Sequence, residues 1–458
     1  MDMLGEYLVN LSNNNETPSK TLDNKKTYSV GLFIAVFLSS MLGGQLFGIS
    51  LNKIALIPLE IGLLLKHRSL RFSIDKTKRT MLLWYVAFFL SSILGFRITT
   101  SLSEHYSGLV LNIIQVFLFY IPLLLLISDI SNLKKGLTQA IILTARIQAV
   151  WGIAQFLSLN LLGIDLNKFV FIDVLKGVLG TEWVAWYYDG FVSHLRVTGL
   201  NHDPAYLALI LILGFCYEKN KLWRIIFSIV VVMASSRAGI LSLGGLWIFS
   251  IIKTHKITVK RFIKGTATTI IAAIGIYLLY NNMPSLQNQV ELLINRFIGI
   301  SLANDDGSAR HILYYIVALE IWFMEFGVIG KIFGVGPRVG GVAIAISSLP
   351  KRFTLNNYML SNAWVIECDF AETLLGNGML GLLLIYTIYL MIFKRSQSEE
   401  KMAIIGIFIM GLMYDVINTT LIQLFLICCI NLISHSRTGR KETSYETSFY
   451  SRWIKMEV

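Results

Sequence analysis

The chain has 458 residues, 55% of them apolar and only 15% charged, with a mean hydropathy of +0.63 and a formal net charge of +12. That balance is far too apolar for a water-soluble domain, and its charge pattern argues against a nucleic-acid partner. The four cysteines make no disulfide framework, with Cys216, Cys428 and Cys429 inside apolar runs and Cys368 alone. No P-loop, dinucleotide fingerprint, heptad run or metal-type Cys/His spacing occurs.

Residues 1–27 are polar, carry no cleavage-type signal and read as a cytoplasmic tail. Beyond them the charges fall in clusters separated by long apolar runs. A helix rising about 1.5 Å per residue crosses a ~30 Å hydrocarbon core in about 20 residues. The runs therefore predict spans at 28–48, 50–65, 80–96, 107–128, 136–158, 204–217, 222–236, 238–252 and 266–282. A large outer loop over 283–372 follows, then spans at 373–393, 402–415 and 418–434 and a basic tail at 435–458. The expected fold is all-α: a polytopic integral membrane protein of about twelve transmembrane helices, with its large loop between the ninth and tenth.

Lys and Arg gather on alternate connections, such as KHRSLRFSIDKTKR, EKNKLWR and KTHKITVKRFIK, and on both tails. The positive-inside rule makes those segments cytoplasmic, so both termini lie inside and the remaining loops outside. The excess charge then sets orientation and meets anionic lipid headgroups. One alternative stays open: His311–Gly330 reads either as an interfacial helix or as a thirteenth span that would reverse everything after it. The aromatic stretch EWVAWYYDGF suits the membrane surface, where Trp183, Trp186, Tyr187 and Tyr188 serve as belt residues or stack on sugar rings.

Within the spans, Arg146 and Glu60 are the conspicuous charges, and ions of opposite sign in hydrocarbon are expected to pair or to line a polar path. Three consecutive spans, beginning at Pro204, are short. Their outer ends are expected to be recessed, with Arg237 in the depression at ASSRAG. The outer side, which should be poor in basic residues, also carries Arg97, Arg196, Arg296, Arg310, Arg338 and Arg352, several beside Gly or Ser. A guanidinium fork with small neighbours suits a phosphate group. In RVTGLNHDPAYLA, Asp203 is placed to cap a helix and Pro204 to open it, so that the helix's positive end and Arg196 face the same outer vestibule. His202 beside them reads as a general base or as a second capping-region group.

RVTGLNHDPAYLA resembles the R-x-x-G…P-x-x-x-A signature of the O-antigen polymerase (Wzy) and O-antigen ligase superfamily, and ASSRAGILSLGG resembles its S-R-x-G-x-L element. Ser308-Ala309-Arg310 and FGVGPRVGG are similar to its Ser-x-Arg and G-x-G elements, and the large outer loop before the last three spans also matches. The resemblance covers roughly residues 190–385. Ligases of the group carry a His about eleven residues before the G-x-x-G of the tenth span. Aligning on Gly378 and Gly381 puts Glu367 there instead, within an E-x-D pattern completed by Asp369 that looks more like the polymerases.

The resemblance implies a glycosyltransferase that works on the outer face of the cytoplasmic (inner) membrane, in O-antigen or capsule-type synthesis. A glycan leaves undecaprenyl pyrophosphate for the non-reducing end of another lipid-linked repeat unit, so such oligosaccharides are both donor and acceptor. Arg196, Arg237, Arg310 and Arg338 are the expected diphosphate ligands, with no metal or other cofactor required. Glu367 or Asp369 is the expected base, with His202 in reserve. Glu367, Asp369 and Glu372 equally fit an ordinary acidic first turn of a helix. Polymerases of this kind commonly work with a chain-length regulator. A ligase of the same fold, or a transporter or flippase for lipid-linked sugars, is the alternative.

Overall fold

A computed structural model describes residues 21–41, 44–46, 49–66, 74–99, 103–127, 130–174, 184–186, 196–201, 203–253, 307–347 and 366–435. Its elements are helical apart from one scrap of sheet. The first part runs α1 (Thr21–Ser39), α2 (Leu51–Ile54), α3 (Ile57–Lys66), α4 (Lys76–Thr99), α5 (Ser103–Gln115), a π turn at Val116–Tyr120, α6 (Ile121–Leu126) and α7 (Ile130–Leu162). Then come α8 (Pro204–Tyr217), α9 (Lys221–Met233) and α10 (Arg237–Lys253). After α11 (Gly307–Met324), α12 (Val328–Phe333) and α13 (Gly340–Ile346), the described chain closes with α14 (Asp369–Arg395), α15 (Ser398–Gly411) and α16 (Thr420–His435).

Three of the described helices, Leu109–Leu126, Asn132–Leu162 and Asp369–Arg395, are long and apolar enough to cross a membrane. The exterior is apolar in helical register. Leu83, Val86, Leu90 and Ile93 form an outward stripe on α4, and Leu222, Ile225, Ile229 and Val232 do the same on α9. Such stripes suit hydrocarbon contact. The centre holds two helices that are apolar nearly all round, as burial on every side demands. In α8 every residue except Tyr206 is buried, and in α16 every residue from Thr420 to Asn431 is.

Burial of apolar area drives little association between helices in lipid, so close packing and hydrogen bonds hold this bundle. Tyr85 on α4 donates to Gln423 Oε1 on α16 at 3.1 Å, and Ser242 on α10 donates to the Gly406 carbonyl of α15 at 3.0 Å. The conspicuous charge Arg146 does pair, but not with Glu60: its Nη2 and Nε lie 2.8 and 2.9 Å from Glu218 Oε2. The guanidinium also stacks 4.9 Å from the Trp223 ring. Glu218 was hidden from the span-by-span reading because it ends α8 and meets α7 only through tertiary packing.

Several boundaries differ from the expected spans. The run 28–48 ends as a helix at Ser39. Gly44–Leu46 (β1) instead pairs antiparallel with Ile49–Ser50 (β2) and with Val184–Trp186 (β3). The glycines at 43, 44 and 48 weaken helix there and favour the turn. The run 50–65 is accordingly broken into α2 and α3. Expected spans at 204–217, 222–236 and 238–252 appear as helices of 14, 13 and 17 residues, short as anticipated. Helix α11 stops at Met324 rather than continuing to Gly330 and packs on α14. The expected span 266–282 lies outside the described residues.

Helix α14 is not continuous. Gly378 has φ 66° and ψ −172°, so residues 369–377 form a half-helix separate from the longer run beyond. The glycine-rich segment after α12 is the cause. Val335 N and Gly336 N donate to the Leu375 and Gly376 carbonyls at 2.9 and 2.8 Å, as a strand edge would. A Cβ on Gly378 would sit 2.3 Å from the Ile332 carbonyl oxygen, and one on Gly334 would sit 2.3 Å from that of Gly376. The two backbones touch where side chains cannot fit.

Candidate functional site

The segment 196–201 is a loop, yet Val197, Thr198, Leu200 and Asn201 are buried. Buried backbone must find partners, and here amide side chains supply them. Gln155 Oε1 accepts from Thr198 N and Gly199 N at 3.0 and 3.1 Å, and Gln148 Oε1 accepts from Leu200 N at 2.8 Å. Asn167 Nδ2 donates to the Gly199 carbonyl at 2.8 Å and to Thr198 Oγ1 at 3.0 Å. Gly199 takes φ +61°, and a Cβ there would meet Gln148 Oε1 at 2.6 Å. The clamp sets where Arg196 and Asp203 emerge at its two ends.

Asp203 caps α8 as anticipated, its Oδ1 accepting from Ala205 N at 2.7 Å with Pro204 in the first turn. Its second oxygen, Oδ2, accepts a short hydrogen bond from the Tyr414 hydroxyl. Tyr414 in turn meets the Tyr206 ring edge to face, with centroids 5.3 Å apart. Arg196 Nε donates to the Ala234 carbonyl at 3.3 Å, on the turn between α9 and α10 that leads directly to Arg237. Ser235 on that turn adopts φ 49°. Burial lowers the Arg196 pKa, Asp203 and Tyr414 work against that, and the nearby Arg237 charge adds to it. A half-buried arginine beside a second arginine is an environment that an anion would stabilise.

The three acidic residues around the start of α14 are not equivalent. Glu367 has a side chain 35% exposed and lies within electrostatic range of Arg196, Tyr206 and Tyr414. Asp369 is buried, with Oδ1 accepting from Val416 N and Ile417 N at 2.8 and 2.9 Å. It pins the turn between α15 and α16 and adjoins the buried Asp415, which accepts from Asn418 Nδ2 at 2.9 Å. Glu372, fully buried, accepts from Gly340 N at 3.3 Å. Asp369 and Glu372 thus tie the half-helix to its neighbours, while Glu367 alone of the three is partly exposed.

Arg338 adopts φ 60° and donates through Nη2 to the Asn418 carbonyl in a short bond. It borders a small cavity with Trp84, Tyr85, Asn112, Gln115 and Asn418. Its neighbours are Glu372, Asp415 and Tyr206 rather than Arg196. Of the expected site residues, Arg237 and Glu367 both lie within electrostatic range of Arg196, Asp369 is buried beside Asp415, and Arg338 is near Tyr206. His202 and the side chain of Arg310 lie outside the described residues, as do the side chains of Arg97, Trp183, Trp186, Tyr187, Tyr188, Arg296 and Arg352. Among the described residues, no group of three or more His, Cys, Asp or Glu is arranged to hold a metal ion.

Sequence reasoning missed Tyr414, His311 and the amide clamp. Gln148 and Gln155 did leave a signal: two amides seven residues apart share one face of an apolar helix. Tyr414 and His311 left none, because their roles arise only from packing between distant helices. No protein-family model matches the chain, and no curated protein matches it.

Proposed function

We propose that the chain is a membrane-embedded polysaccharide polymerase. In this reading it has about twelve spans, both termini cytoplasmic and its site open to the exterior of the inner membrane. It transfers a glycan from undecaprenyl pyrophosphate to the non-reducing end of a second lipid-linked repeat unit. The observation that carries the reading is the convergence of Arg196, Arg237 and Glu367, from three distant parts of the chain, at the capped start of α8.

The chemistry follows from those groups. The bond between the donor's anomeric carbon and the diphosphate oxygen breaks, and its electron pair leaves with the diphosphate. Arg196, Arg237 and the positive end of α8 stabilise that growing charge. A hydroxyl oxygen of the acceptor sugar bonds to the anomeric carbon, and its proton passes to Glu367, the accessible carboxylate. Asp369 contributes by fixing the turn that presents Tyr414. Arg310 at the start of α11 and Arg338 remain candidate ligands for the same or the second diphosphate.

The test is the polymer itself. Arg237→Ala, made in the full chain and expressed in a strain lacking its own copy, should leave protein abundance and single-repeat product intact while polymer falls at least a hundred-fold. Wild-type chain lengths from that variant would defeat the assignment.

A further inference from the structure

His311 takes no part in the reaction just described, yet it lies against the group proposed to accept the proton. Its ring sits on the first turns of α11, only 11% exposed, and meets the Tyr314 ring edge-on with centroids 6.0 Å apart. Both ring nitrogens face one residue. Nδ1 is 3.1 Å from the Glu367 carbonyl oxygen, and Nε2 is 3.8 Å from Glu367 Oε2. The first distance is a hydrogen bond, with Nδ1–H donating because a carbonyl only accepts. The second is an ion-pair distance, attractive when the ring carries a proton on Nε2 as well as on Nδ1, and beyond direct hydrogen bonding.

Glu367 needs such support. It precedes α14 by two residues, on a backbone joined to the half-helix by Cys368, whose thiol is fully buried. With the backbone fixed by His311 Nδ1–H, and the carboxylate drawn toward Nε2 by the imidazolium form of the ring, the free rotation of the glutamate is restricted. We infer that His311 is a positioning residue that holds Glu367 toward the acceptor hydroxyl by gripping both its carbonyl and its carboxylate. The inference rests on the polymerase reading for its activity test. It adds what that reading does not contain, namely which distant helix holds the partly exposed Glu367 in place.

The experiment is a cycle of variants in the full chain. Donor is an undecaprenyl-diphosphate oligosaccharide extracted from a strain lacking the chain, and the readout is initial ladder formation by the purified protein. His311→Ala should lower turnover about a hundred-fold, as a misplacement of about 1 Å does, with the apparent KM for the donor within two-fold of wild type. His311→Asn places an amide N–H near the position of Nδ1. It should recover to within about ten-fold of wild type by restoring the grip on the carbonyl. His311→Ala combined with Glu367→Gln should lose no more than Glu367→Gln alone, because the histidine acts only through Glu367.

Wild-type turnover in His311→Ala, or losses that multiply in the double variant, would overturn the positioning role even if Arg237→Ala is inactive. Full activity of Arg237→Ala would overturn the polymerase site instead. Should His311→Ala fail to fold, His311→Asn decides alone: activity no higher than that of Glu367→Gln, in folded protein, counts against the inference.

Discussion

Replacing Gln155 by leucine tests whether the amide clamp, rather than the general fit of the bundle, holds the 196–201 loop. The substitution keeps the volume and the apolar surroundings. It removes the acceptor of Thr198 N and Gly199 N, and the donor that reaches Thr198 Oγ1 at 3.3 Å. Each buried backbone donor left without an acceptor costs about 1–3 kcal/mol, so the two together set a range of about 2–6 kcal/mol. Gln148 and Asn167 still hold Leu200 N and the Gly199 carbonyl, which keeps the loop near its place. We expect the lower half of the range, about 3 kcal/mol. Hydrogen–deuterium exchange of the 196–201 amides in detergent or nanodiscs reads this directly. At about 1.4 kcal/mol per factor of ten, exchange at Thr198 and Gly199 should quicken about a hundred-fold. Gln155→Glu keeps the acceptor and should quicken it less. Unchanged exchange in Gln155→Leu would show that the clamp contributes nothing and that the loop is held by packing alone.

Two other outcomes can be checked. Glu218 is 4% exposed and Arg146 26% exposed. Glu218→Ala leaves a partly buried guanidinium uncompensated and should destabilise by about 2–3 kcal/mol, below the ~3–5 kcal/mol of a fully buried pair, with thermal unfolding in detergent as the measure. Arg146→Met combined with Glu218→Met should regain most of that, and a double variant no better than Glu218→Ala would refute the pairing. Burial pushes the Cys368 thiol up to about 11. The thiolate is therefore scarce at neutral pH and grows only as pH rises toward that value. A charged maleimide at pH 7.5 should label Cys368 less than about a tenth as fast in folded as in denatured protein, and equal rates would contradict its burial.

What could be read in the residues was whatever depends on local pattern. The start of α8 is the clearest case, since Asp203-Pro204 before an apolar run specifies both the cap and the first turn, and both are observed. The short helices α8 to α10 were also legible, because length is counted directly. The interruptions were not. GVGPRVGG and GNG each look tolerable alone in their segments, and only their contact makes Gly378 leave helical geometry. In the candidate site, Arg196 and Arg237 were singled out by residue type and place along the chain, and Glu367 by the family resemblance of its E-x-D pattern. Asp369 and Glu367 looked interchangeable, because a one-dimensional pattern carries no information about which carboxylate is satisfied by the 416–417 backbone.

The contact between residues 332–336 and 375–378 also bears on how the molecule is put together. Backbones that touch without room for a Cβ cannot be threaded past one another after each is locked. The first half of α14 therefore reaches its final conformation only when the glycine segment before α13 is already alongside it. Segment 332–336 leaves the ribosome some forty residues ahead of its partner. Until the partner arrives, neither Glu367 nor the turn pinned by Asp369 has its final support. Maturation of the candidate site is thus a late event, completed only when the last three helices have been delivered.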